Sequence, residues 1–326
     1  MIRNLGTILV TGGAGFLGSH VVDALLERKD NVTVLDNLTS GRMDNLRQAS
    51  VRNGFKFRKI DLKDRFGLIE MLDGVASVFH FAANPEVRVG KTDPAIHFQD
   101  NLLATFNLLE AVRVKRDSNV PIVFTSTSTV YGDAARLPTG EDYGPMFPIS
   151  TYGASKLGCE SLISSYAYTH GLRGLILRLG NCVGGRSNHG IIADLIRKLK
   201  TDPTELEILG DGTQTKSYIH ISDFLTGTFS ALEAFMETGR RVDVYNLGSN
   251  DRVGVKRIAE IVIDELGLRN VKLKFTGGVD GGRGWLGDVK TMQLSIEKLQ
   301  ALGWRPKFNS EEAVRLATKE MLTNSV

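Results

Sequence analysis

Through the first half of the chain, short apolar runs alternate with stretches whose apolar residues recur every three or four positions. Thr7-Ile8-Leu9-Val10 reads as a buried strand, and residues 16–28 carry Phe16, Leu17, Val21, Val22, Leu25 and Leu26 at helical spacing. The same reading predicts strands at 32–35, 55–60, 75–81, 121–124 and 175–178, a long helix over 94–114, and another helix opening at Tyr152. Such alternation predicts a parallel sheet covered by helices on both faces. Beyond it come a helix at 191–199, a strand at 206–209, a helix from Asp223 and a strand at 244–247. Helices over 258–266 and 311–322 and a strand at 271–275 complete the pattern. The expected fold is α/β: a doubly wound parallel sheet with a smaller C-terminal α/β domain. The boundary falls in the turn-rich segment 180–186, so that 1–179 form the first domain, with 218–250 returning to it. Residues 180–217 and 251–326 then form the second.

Polar residues gather where the predicted strands end, and in an open α/β sheet that is where ligands bind. The first strand runs into Thr11-Gly12-Gly13-Ala14-Gly15-Phe16-Leu17-Gly18 and straight on into a helix. A strand, a glycine turn and a helix N-terminus together present backbone N–H groups to an anion. Glycine allows the tight turn, the approach of a pyrophosphate and the packing of helix on strand. For these residues alone a plain β–turn–α connection is the alternative. The next strand ends in Asp36, about twenty residues past the glycines, where a carboxylate accepts the hydroxyls of an adenosine ribose. That carboxylate would repel a 2′-phosphate and so favours NAD over NADP, with Arg42 close enough to argue the other way. Asp61-Leu62 and Phe81-Ala82-Ala83 close the following strands, and the fifth runs into Thr125-Ser126-Thr127-Ser128-Thr129.

Composition narrows the class. The 326 residues are 42% hydrophobic and 24% charged, as in ordinary globular proteins, and exceed what one core usually serves. No apolar run approaches the eighteen or so residues of a membrane helix, and the first strand begins too near Met1 for a signal peptide. The two cysteines, Cys159 and Cys182, suit a reducing compartment and have neither disulfide nor metal-ligand spacing. A cytoplasmic enzyme without metal is the expectation. A formal charge of +3 is too small to imply nucleic acid. His189 and His220 lack spaced partners, and Trp285 and Trp304 read as packing residues.

One pair of residues points to proton transfer. Tyr152 and Lys156 stand at i and i+4, about a turn apart on one helical face. A free phenol, with pKa about 10, is too weak a base at neutral pH, but a nearby ammonium favours the phenolate. For the pair alone, a solvated helix face is the commoner explanation. The hydroxyl run and the glycine loop, upstream in the right order, shift the balance.

Together these segments resemble the extended short-chain dehydrogenase/reductase family, in particular its NAD-dependent nucleotide-sugar 4-epimerases acting on UDP-hexoses. The glycine loop matches in the spacing Gly12-x-x-Gly15-x-x-Gly18, and Asp36-Asn37-Leu38-Thr39-Ser40-Gly41 resembles the adenosine-ribose segment. His80-Phe81-Ala82-Ala83, Asn101 with Asn107-Leu108-Leu109-Glu110-Ala111, Thr125 to Gly132 and Tyr152/Lys156 also match. The resemblance implies a Rossmann-like fold with NAD bound by Gly12, Gly15, Phe16, Leu17, Gly18, Asp36–Gly41, Asp61, Leu62, Phe81, Ala82, Ala83, Asn101, Thr125, Tyr152 and Lys156. It implies that Tyr152 takes the proton of the sugar 4′-hydroxyl while hydride passes to NAD, and that Thr127 bonds the same hydroxyl. Lys156 would bind the nicotinamide ribose and hold the tyrosine pKa down. Hydride would then return to the opposite face of a 4-keto sugar, so NAD stays bound.

The resemblance extends to the second domain, where Asn181, Gly190, Ile191, Lys216 and Arg283 would hold the nucleoside diphosphate. Lys216 stands where most relatives have Arg, a point charge in place of a fork. Met292 falls where relatives adjust pocket size for N-acetylated sugars. Sugar 4,6-dehydratases follow the threonine with Asp-Glu and UDP-glucuronate decarboxylases carry Glu at the second position; here the residues are Ser128 and Thr129. The implied reaction is interconversion of UDP-glucose and UDP-galactose by a homodimer, with no nucleic acid or membrane partner. Epimerisation of UDP-glucuronate or a UDP-N-acetylhexosamine, a net steroid or flavonoid oxidoreductase, and an NAD-binding regulatory protein are the alternatives.

Overall fold

The computed structural model of the protein describes residues 5–115 and 120–323. By contacts the chain groups into two units. One is Met1–Thr127, Thr151–Arg178 and Thr228–Tyr245; the other is Ser128–Ser150, Leu179–Gly227 and Asn246–Val326.

In the first unit β1 (Thr7–Thr11) leads into α1 (Phe16–Glu27), β2 (Asn31–Asp36), β3 (Phe55–Lys59), α2 (Arg65–Glu70) and β4 (Ser77–His80). Ile8, Leu9 and Val10 of β1 are wholly buried, as a strand covered on both faces requires. Helix α1 turns Val21, Val22, Leu25 and Leu26 inward. Its N-terminal residue, Gly15, is extended and provides no side-chain cap. The predicted long helix is interrupted: α3 (Ala95–His97), a π-helical turn (Phe98–Leu103) and α4 (Ala104–Lys115) replace it. Widened turns of this kind cluster at functional positions, and Asn101 lies inside this one. Next come β5 (Pro121–Thr127), α5 (Thr151–His170) and β6 (Arg173–Leu179).

The second unit opens with β7 (Asn181–Val183), α6 (Ile191–Thr201), β8 (Glu205–Ile208), β9 (Thr215–Lys216) and β10 (Tyr218–His220). Helix α7 (Ile221–Glu237) and β11 (Val242–Leu247) lead back to the large sheet. The rest is β12 (Val253–Gly254), α8 (Val255–Glu265), β13 (Lys272–Phe275), β14 (Thr291–Met292), α9 (Glu297–Gln300) and α10 (Ser310–Thr323).

The seven-stranded sheet runs β11-β6-β5-β4-β1-β2-β3. Strand β1 pairs in parallel with both β2 and β4, so the chain order reverses between β1 and β4. This is the switch point at whose carboxyl ends such sheets bind ligands. The core beneath it contains Leu9, Leu35, Val78, Leu108, Phe124, Ile163 and Ile176. A separate core in the second unit joins Ile192, Leu195, Leu206, Ile258, Ile261, Val314 and Met321.

Three segments group differently from the chain-order expectation: 128–150, 218–227 and 246–250 fall in the second unit. Residues 180–186 are more than a turn: β7 pairs in parallel with β10, which places 218–220 in the second unit. Residues 128–150 also belong there, because Thr139 N–H donates to Gln293 O at 2.8 Å and Thr139 O accepts from Ser295 N–H at 2.8 Å.

Candidate active site

The glycine loop is packed too closely for side chains. A Cβ on Gly12 would lie 2.5 Å from Ala82 N, and one on Gly18 would lie 2.2 Å from Gly12 O. Gly12 also has φ +68, in the left-handed region that favours glycine. Beyond the loop, the first N–H groups of α1 have no acceptor within the helix and no side chain caps them. Asp36, at the end of β2, accepts from Ala14 N–H at 2.9 Å through Oδ2 and from Leu38 N–H at 2.8 Å through Oδ1. A carboxylate has about four lone-pair sites, so each oxygen keeps capacity for a ribose hydroxyl. Asn37 Nδ2 donates to Asp61 at 3.1 Å, joining the ends of β2 and β3, while Thr39 and Ser40 are exposed. Phe81, Ala82 and Ala83 follow β4 half-buried, and Leu62 is buried. An uncapped helix N-terminus, a glycine cradle and a carboxylate with spare acceptor capacity fit a dinucleotide.

Behind the cradle runs a buried hydrogen-bond chain that determines a histidine tautomer. Thr105 donates to Asn101 O at 2.7 Å, so its oxygen is left to accept from His80 Nε2–H at 2.9 Å. His80 Nδ1 therefore accepts from Thr11 Oγ1–H at 2.7 Å. Burial, assisted by the charge of Lys156, lowers the His80 pKa to about 3, so the ring stays neutral. The π-helical turn lets Asn101 face two ways: its Oδ1 accepts from Asn84 N–H at 2.7 Å and its Nδ2 donates to Ser155 Oγ at 2.9 Å.

Tyr152 and Lys156 lie on α5 as the spacing predicted. The Tyr152 hydroxyl is hydrogen-bonded to the Thr127 side chain. Lys156 is buried; its Nζ donates to Thr125 O at 2.9 Å and sits 4.6 Å from the centre of the Phe124 ring. The expected lowering of the phenol is not what these side chains produce. Burial pushes Tyr152 up to about 12, with Cys159 adding to the rise and the Thr127 bond opposing it. Burial likewise pulls Lys156 down to about 8 against Cys159 and Glu160. Loss of water disfavours both charged forms.

Sequence reasoning missed the layer that holds this pair. Glu160 accepts from Ser126 Oγ at 2.5 Å and from Arg178 Nη2 at 2.7 Å, and Glu160 and Arg178 are both buried. The spacing Tyr152, Lys156, Glu160 along one helical face was a usable signal. His97, wholly buried, sets its ring edge-on to Tyr152 with centroids 5.6 Å apart and bonds Thr151 Oγ1 at 2.9 Å. Asn107, matched by resemblance, donates to Leu62 O at 3.0 Å, a structural bond.

In the second unit, Asn181 Nδ2 donates to Ser217 O at 3.1 Å, one residue from Lys216. Gly190, at φ +86, and Ile191 open α6. Lys216 Nζ donates to Asp288 Oδ1 at 2.6 Å, and Arg283 Nη1 donates to the Asp288 carbonyl at 2.7 Å. These two cations therefore converge on one residue. The Trp285 ring lies beneath Lys216, its centre 5.5 Å from Nζ. Among the described residues no group of three His, Cys, Asp or Glu is placed to hold a metal, and no helix is long and apolar enough to cross a membrane.

A model described as the NAD dependent epimerase/dehydratase family matches residues 8–248. The chain belongs to that family. A UDP-glucose 4-epimerase of Corynebacterium glutamicum is 32% identical over 315 residues, covering 92% of this chain and 91% of its own. The solved structure of a UDP-galactose 4-epimerase is 42% identical with TM-score 0.85, covering 98% of this chain and 99% of that one. The UDP-glucuronic acid 4-epimerase of Bacillus cereus, solved with UDP-glucuronic acid and NAD, is 28% identical with TM-score 0.85 over 98% and 99%. This epimerase/dehydratase chain therefore carries its NAD-dependent character and its Rossmann-like sheet from the family; the sugar is a separate question.

Proposed function

We propose that the protein is a UDP-hexose 4-epimerase interconverting UDP-glucose and UDP-galactose. One arrangement carries the reading: Tyr152 bonded to Thr127 on a helix that also presents buried Lys156, with Ser128 and Thr129 next in the chain where eliminating relatives place carboxylates. Bound NAD supplies reversible hydride uptake and, when oxidised, a cationic ring. Around it Tyr152 takes the 4′-hydroxyl proton and Thr127 orients that hydroxyl. Lys156 binds the nicotinamide ribose and supplies positive charge on the same side as the phenol. Its ammonium, pulled down to about 8, remains largely protonated at neutral pH. Ser128 and Thr129 bring no carboxyl to the positions where eliminating relatives carry one, so these residues favour epimerisation over loss of water or carbon dioxide. Lys216 and Arg283 bind the diphosphate, and the similarity to 4-epimerases of UDP-glucose and UDP-galactose supports the neutral hexose.

The test is incubation of the purified protein with UDP-galactose, without added cofactor, following UDP-glucose by NMR. Conversion is expected. No conversion with or without added NAD sinks the reading; conversion of UDP-glucuronate alone replaces the hexose with a uronate, and conversion only with NADP overturns the role of Asp36.

A further inference from the structure

Arg283 is already held by carboxylates. Nη1 and Nη2 donate to the two oxygens of Asp133 at 3.0 and 2.9 Å, a bidentate fork between residues 150 positions apart. The second Nη1 hydrogen goes to Asp288 O at 2.7 Å, while Nε faces Asp280 in an ion pair at 3.2 Å. A guanidinium binds phosphate through the same fork geometry that it offers a carboxylate. A diphosphate reaching the Nη1/Nη2 edge must therefore displace Asp133.

Two of the three aspartates of this cluster, Asp288 and Asp133, differ in how firmly their carboxylates are held. Asp288 is 4% exposed and also accepts from Lys216 Nζ and from Gly284 N–H at 3.2 Å. The Asp133 side chain is 47% exposed, and an exposed ion pair of this kind contributes little. Its position is nevertheless built: the preceding Gly132 has φ +63, and a Cβ there would lie 1.9 Å from Phe147 O, so the backbone is fixed where Asp133 leaves it.

We propose that Asp133 is an intramolecular stand-in for the diphosphate of the substrate, holding the Arg283 fork in its binding geometry and yielding it when a nucleoside diphosphate arrives. The inference rests on the proposed nucleotide-sugar substrate. A ligand must outbid one negative charge, so the device lowers by one factor the affinity of every anion that takes the fork, and weak anions such as inorganic phosphate then fall below occupancy of Arg283.

The test is titration calorimetry of the purified protein with UDP, UMP and inorganic phosphate, for the wild type and for Asp133→Asn, Asp133→Ser and Arg283→Ala. Asp133→Asn is expected to tighten UDP about two- to five-fold, the scale of a released exposed ion pair. UMP and phosphate should gain by no more than UDP does, because freeing the fork raises the affinity of every anion that engages it by one common factor. In the Arg283→Ala background the same substitution should change nothing. Unchanged or weaker UDP binding in both Asp133 variants overturns the inference, since weakening would mean that Asp133 positions Arg283 rather than competes for it. If the wild type binds no UDP, the proposed substrate class fails instead. Asp133→Ser, which keeps a small polar side chain, guards against a local effect of the amide.

Discussion

Two lysines carry opposite arrangements. Lys156, buried on α5, has a backbone carbonyl and an aromatic ring as its close partners, and burial pulls its pKa down to about 8. Lys216, on β9, is locked to the carboxylate of Asp288 at 2.6 Å. A buried ammonium without a bonded carboxylate is expensive, and proteins keep such groups where the charge acts on something else. An ammonium bonded to a carboxylate is a fixed charge that holds a loop together and offers its remaining donors to an anion. The first region thus stores electrostatic work in the absence of a partner; the second is saturated with partners and gives one up.

The largest effect expected from breaking the first region is in turnover. Tyr152→Phe should lower the epimerisation rate by about 10²–10⁴-fold, the usual contribution of a positioned proton-transfer group. Bound NAD, read by absorbance after denaturation, should be retained; turnover within a few-fold of wild type would remove Tyr152 from the mechanism.

Lys156→Met sharpens the comparison because its two effects diverge. Activity should fall by at least about 10²-fold, while the melting temperature at pH 7 should rise by about 2–4 °C as a desolvated charge is removed. The folded pKa of about 8 lies below the unfolded value of 10.5. Between those values the unfolded chain binds more protons, so this group makes wild-type stability rise with pH across that window. The gain from Lys156→Met should therefore shrink from pH 7 to pH 10. A variant that melts lower at pH 7 would show that Lys156 is structural.

Lys216→Met should move stability the other way. It strands the buried Asp288 carboxylate, which keeps only the Gly284 N–H bond and so loses its charged partner. Losing one side of such a pair costs roughly 1–3 kcal/mol, so a drop of several degrees is expected, with UDP binding about ten-fold weaker by calorimetry. An unchanged melting temperature would mean that the Lys216–Asp288 bond is incidental.

How far the chain could be read in advance follows the same division. The strand and helix alternation, the glycine loop and Asp36 are local patterns, and the structure places the loop at the carboxyl end of β1, beside the switch point to β4, and Asp36 at the end of β2. What escaped was non-local or set by burial. The pairing of β7 with β10 joins two three-residue strands with more than thirty residues between them, too short for any periodicity to announce. The π-helical turn at Phe98–Leu103 preserves a helical pattern while rotating Asn101 toward Ser155. The direction of the Tyr152 shift depends on how much water the fold removes, which spacing alone does not encode. Arg283 was found as a cation but not its partner Asp133, which no local motif connects to it.

The smallest effect is expected at Asp280, and it tests whether charge or geometry governs the second region. Asp280 lies 3.2 Å from Arg283 Nε, as near as many bonded pairs, yet it meets a single nitrogen away from the Nη1/Nη2 fork and its side chain is 68% exposed. If proximity of charge were what mattered, Asp280→Asn should tighten UDP binding as Asp133→Asn does. If the fork geometry matters, removing Asp280 should do almost nothing, because solvent screens the pair and the Nη1/Nη2 edge is untouched. Asparagine tolerates the φ of +43 at this position, so backbone strain does not confuse the outcome. The expectation is a melting temperature within about 1 °C and UDP affinity within about two-fold of wild type. A gain as large as that of Asp133→Asn would replace the bidentate stand-in with a diffuse acidic field around Arg283.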